Sequence, residues 1–61
     1  MLEIKKILIE RDGLSPDEAD REIAEAKADL LDLIESGQYD AVDEYFLDRF
    51  GLEADYLFEL I

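Results

Sequence analysis

The sequence predicts an all-α fold, a small three-helix bundle with a short fourth helix at the C-terminus. Three observations predict it. Apolar residues recur at helical spacing in each segment, isolated glycines at positions 13, 37 and 51 end those segments, and one long stretch carries both a written start and a written stop. The 61 residues make one domain, and a chain this short buries only about 60% of the surface its unfolded form exposes. With no cysteine to form a disulfide or a thiolate metal site, stability must come from packing capped helices or from association.

The first helix is expected over about residues 2–12. Ile4, Ile7, Leu8 and Arg11 share one face, and Leu2 and Ile9 widen it. A strand is the rival assignment, but the adjacent Ile7, Leu8 and Ile9 break a period of two. Asp12-Gly13 then reads as a stop and turn, and Leu14 can staple back onto Ala19.

The second helix, about 16–36, organises the chain. Ser15 followed by Glu18 forms a capping box, and Pro16 occupies the first helical position, where a missing N–H costs nothing. Gly37 supplies the left-handed residue that closes the helix. Such a helix is about 32 Å long. Ala19, Ile23, Ala26, Leu30 and Leu33 form a seam for burial, and Glu18, Glu22, Glu25, Asp29 and Asp32 form an acidic ridge rotated by about 100° from it. Near the end, Leu30, Leu31, Leu33 and Ile34 cover most of the circumference, so this half needs cover from several sides.

A third helix is expected over about 39–50, antiparallel to the second because the connection is short. Val42, Tyr45, Phe46, Arg49 and Phe50 form its inward stripe, and Asp40, Asp43, Glu44 and Asp48 its outer side. After Gly51 a short fourth helix is expected over about 54–60. Leu57, Leu60 and Ile61 would pack down, and Leu52 stands at staple spacing from Leu57.

Eighteen acids against six bases give a net charge of −12. Residues 1–14 are neutral, while 15–36 and 37–61 each carry −6, so the first segment is the natural electrostatic neighbour of the other two. A surface this acidic disfavours nucleic acid and anionic membranes as partners and favours a basic protein surface. No apolar run approaches the roughly 18 residues of a membrane span. The N-terminus has no cleavable signal pattern, from which a cytoplasmic protein is expected.

The runs RDGLSPDEADREIAEAK and GLEADYLFELI, with the turn before Tyr39, resemble a family of short, acidic, uncharacterised proteins of bacterial prophages and other mobile elements. In that family proline often stands where this chain has Ala54. The resemblance implies an all-helical fold and a phage-type origin, and it brings no activity and no functional residues.

Most chemistry is excluded by composition. There is no histidine and no cysteine, Ser15 reads as a cap rather than a nucleophile, and the isolated glycines form no phosphate loop. The segment from Asp12 fails the calcium-loop pattern because Leu14 stands where a ligand is needed. No catalytic residue, cofactor or metal is expected. The function expected is that of a non-enzymatic interaction protein whose ridge, Glu18, Glu22, Glu25, Asp29 and Asp32, meets a basic, nucleic-acid-binding host protein as a polyanion mimic. A second expectation is a structural or regulatory homo-oligomer through Leu30, Leu31, Ile34, Tyr56 and Phe58, in which the acids serve solubility alone.

Overall fold

Ser15 fixes where the longest element begins. In the computed structural model of the chain, which describes residues 2–60, its Oγ accepts from the Glu18 backbone N–H at 3.1 Å. The Glu18 carboxylate in return accepts from the Ser15 N–H at 3.0 Å. The capping box thus starts helix α2, Pro16–Glu35, with Pro16 in the first turn. At the other end Gly37 adopts φ 76°, and two bonds close the helix: Gly37 N–H to the Ile34 carbonyl at 3.1 Å and Gln38 N–H to the Leu33 carbonyl at 2.8 Å. This is the paired closure that a left-handed residue makes available. Ser36, expected inside the helix, is its flanking residue.

Before α2 lies α1, Glu3–Asp12, and after it α3, Tyr39–Phe50. A two-turn 3₁₀ helix, Ala54–Glu59, ends the described chain, which contains no strand. The fold is all-α, with three helices and a short terminal helix. At 20 residues α2 is about 30 Å long, close to the 33 Å long axis of the molecule.

The α2 seam lies where expected: Ala19, Ile23, Ala26 and Leu30 are buried, and Leu33 is half-buried. Alanines at two of these positions let neighbouring helices approach closely. α1 and α3 each pack on α2, burying Ile4 and Leu8 from one and Val42, Phe46 and Phe50 from the other. The Phe46 and Phe50 rings meet edge to face, with centroids 5.2 Å apart. The backbones of α1 and α3 do not approach each other. The 3₁₀ helix spans them and makes no backbone approach to α2.

Two details depart from the sequence expectation. Leu2 precedes α1 in extended conformation and is exposed, so it does not widen the buried face. The last element is a 3₁₀ helix because three residues per turn bring i and i+3 to one side; Leu57 and Leu60 are so related, and both are buried. Ile61, expected to pack down, lies outside the described residues. Among them, no helix is long and apolar enough to cross a membrane.

Candidate functional site

The acidic ridge runs along the seam between α2 and α3. Tyr45 and Arg49, one turn apart on α3, reach it. Arg49 Nη2 donates to Glu22 at 2.9 Å and to Glu25 at 3.2 Å, and Tyr45 Oη donates to Asp29 Oδ2 at 2.6 Å. Arg49 Nη1 also donates to Tyr45 Oη at 3.4 Å, which joins the residues into one network. Burial first, and then the bond to the Asp29 carboxylate, push the Tyr45 hydroxyl above its ordinary value.

The remaining two members of the ridge differ. Glu18 is committed to the capping box, and its bonds from Ser15, the backbone N–H foremost, hold its carboxyl below the usual range. Asp32 is exposed and its carboxylate has no partner among the described residues. The ridge is therefore not an unbroken free flank. Four of its five carboxylates already serve the fold, because the helix that covers the apolar seam also overhangs the ridge beside it. The sequence held a signal for this: Arg49 is the single base in residues 37–61 and stands on the inward stripe of α3.

The freest acids lie elsewhere. Asp12, Asp20, Glu22 and Glu25 are ion-paired, Glu18 and Glu59 bond the backbone at helix starts, and Asp29 accepts from Tyr45. Eleven of the 18 carboxylates thus have neither a side-chain nor a backbone partner among the described residues. Four of the eleven, Asp40, Asp43, Glu44 and Asp48, follow helical spacing down the outer face of α3, all exposed. Leu47, 57% exposed, stands among them. Asp32 and Glu35 continue the negative surface onto the end of α2.

The five residues expected to form a contact between copies do not form one patch. Leu30 is fully buried in the core, Ile34 and Tyr56 are half-buried against it, and only Leu31 and Phe58, 43% and 78% exposed, face outward. Those two stand on α2 and the 3₁₀ helix, whose backbones do not meet. A dent of about 320 Å³ lies over the α2–α3 turn, lined by residues 37–41. Its lining offers Tyr39 and Asp40 as the only ionisable side chains. Among the described residues, no three acidic side chains converge in an arrangement that could hold a metal ion.

No protein-family model, curated protein or solved structure matches this chain.

Proposed function

We propose that this chain is a non-enzymatic acidic interaction protein that engages a basic protein surface as a polyanion mimic. The observation that carries this reading is the imbalance left after the fold has used its charges. Lys5, Arg11 and Arg49 are engaged within the molecule, whereas eleven carboxylates have no partner among the described residues. The α3 outer face is the best-placed part of that surface. Asp40, Glu44 and Asp48 advance by about 6 Å per step along the axis, with Asp43 beside them, a row of charges that can stand in for phosphates without matching them closely, and Leu47 adds an apolar contact in its midst. The α2 ridge contributes Glu18 and Asp32 at its ends; at its centre two carboxylates share one guanidinium and retain one net negative charge.

Given the resemblance to prophage and mobile-element proteins, the partner we propose is a nucleic-acid-binding protein of the bacterial host cytoplasm. The test is capture from bacterial lysate by the immobilised chain at physiological salt. A captured nucleic-acid-binding protein should be displaced by added DNA, and replacing Asp40, Asp43, Glu44 and Asp48 by lysine should abolish its capture. Retention by the four-lysine variant, or indifference to DNA, defeats the mimicry.

The exposure of Leu31 and Phe58 supports the second reading, a homo-oligomer. Sedimentation separates the two: a dimer that Phe58→Asp dissociates supports association of copies, and a monomer up to high concentration removes it.

A further inference from the structure

The terminal 3₁₀ helix is six residues long and depends on its neighbours to stay in place. No side chain caps it at Glu53, and its backbone approaches α1 and α3 but not α2. Two kinds of contact hold it there. Leu57 and Leu60 are buried at 6% and 4% exposure. The Glu59 carboxylate accepts from the backbone N–H of Glu3 at 3.2 Å and of Ile4 at 3.0 Å.

Those two amides belong to the first turn of α1, where a helix leaves its N–H groups without internal acceptors. The flanking residue is Leu2, which has no polar side chain to offer. One carboxylate therefore both fastens the tail and completes α1. The other ties do not depend on it: Lys5 pairs with Asp20 at 3.0 Å to hold α1 on α2, and Arg49 holds α3 on α2.

We propose that residues 54–60 form a strap that opens and closes as a unit about the Gly51–Glu53 connection, with Glu59 as its latch. Opening leaves the α1–α2–α3 assembly standing and bares the apolar sides of α1 and α3 between Ile4, Leu8, Phe46 and Phe50. The molecule thereby keeps an apolar face in reserve under a cover held by two leucines and latched by one carboxylate. Partial opening of this kind needs less free energy than unfolding, since it gives up two buried leucines and two hydrogen bonds rather than the shared core.

Amide hydrogen exchange on the full chain tests the strap, comparing the parent with Glu59→Ala and Glu59→Gln. In Glu59→Ala the amides of Glu3, Ile4, Tyr56 and Leu60 should exchange together about tenfold faster, in keeping with loss of hydrogen bonds to a charged acceptor. The amides of Leu30 and Phe46 should keep their parental rates. Glu59→Gln retains an acceptor without the charge and should fall between the two. Acceleration spread evenly over all helices, or a Glu59→Ala chain that does not fold, shows that the strap is no separate unit. Unchanged exchange at Glu3 and Ile4 shows that Glu59 is not the latch.

Discussion

α2 and α1 are both helices, and a left-handed glycine closes the end of each, yet one caps its own start and the other has its start capped by a distant part of the chain. The start of α2 is satisfied within four residues by the capping box, and its end by two backbone bonds around Gly37. The start of α1 depends on Glu59, 55 and 56 residues away. The far end of α1 is closed locally, with Gly13 at φ 71° and the Leu14 N–H donating to the Leu8 carbonyl at 3.3 Å, and from its last turn Arg11 Nη2 donates to the Phe50 carbonyl at 2.6 Å, 39 residues distant, at the end of α3. A locally capped helix retains its reason to be helical when its neighbours move. A helix capped from outside loses the partners of its first turn when the segment that supplies them moves away.

The largest perturbation should erase this difference. Phe46 is fully buried and meets Phe50 edge to face. Phe46→Ala should cost about 3–5 kcal/mol, against a total stability of about 3–9 kcal/mol for a chain of this size. Urea unfolding followed by circular dichroism should show α1 and α2 lost in one shifted transition; a persistent helical fraction would mean that α2 survives alone. Arg49→Met comes next. It leaves Glu22 and Glu25 beside each other without their shared guanidinium, at a cost of about 1–2 kcal/mol. Added salt should recover part of that loss by screening the two carboxylates, and a loss indifferent to salt would point to packing of the arginine stem instead.

Ser15→Ala probes the self-sufficient side. It should cost about 1 kcal/mol and speed exchange in the first turn of α2, while Glu3 and Ile4 remain protected by Glu59. Equal exposure of both helix starts would show that the two ends are not independent.

What could be read in advance follows the same division. The start of α2 and the span of α3 from Tyr39 to Phe50 stand where the sequence puts them, because caps and glycine stops act over a few residues. The burial of Ala19, Ile23, Ala26 and Leu30 follows from spacing alone. The double duty of Glu59 could not be found that way, since nothing in LFEL says that residue 59 returns to residue 3. The acidic ridge is the instructive intermediate. Periodicity groups Glu18, Glu22, Glu25, Asp29 and Asp32 on one flank, but it does not say which helix lies against that flank, and the flank adjoins α3. The outer acids of α3 are legible as an outer side for the complementary reason: the stripe of Val42, Phe46 and Phe50 points the other way.

The smallest expected effect isolates one carboxyl of the self-capped helix. Bonds from Ser15 lower the Glu18 carboxyl below its ordinary value of 4.5 in the folded chain. A group whose folded value lies below its unfolded one stabilises the fold fully above the unfolded value and loses that contribution as pH falls through the folded one. The difference in unfolding free energy between the parent and Glu18→Gln should therefore be constant near neutral pH and shrink as pH drops below about 4.5. Comparing the two chains is essential, because protonating the unpartnered acids relieves repulsion in both and pushes stability the opposite way. That background cancels in the difference, which leaves the capping carboxylate as its source. A difference that persists unchanged into strong acid would show that the Glu18 charge does not support the start of α2, and the contrast with α1 would then rest on the Ser15 hydroxyl alone.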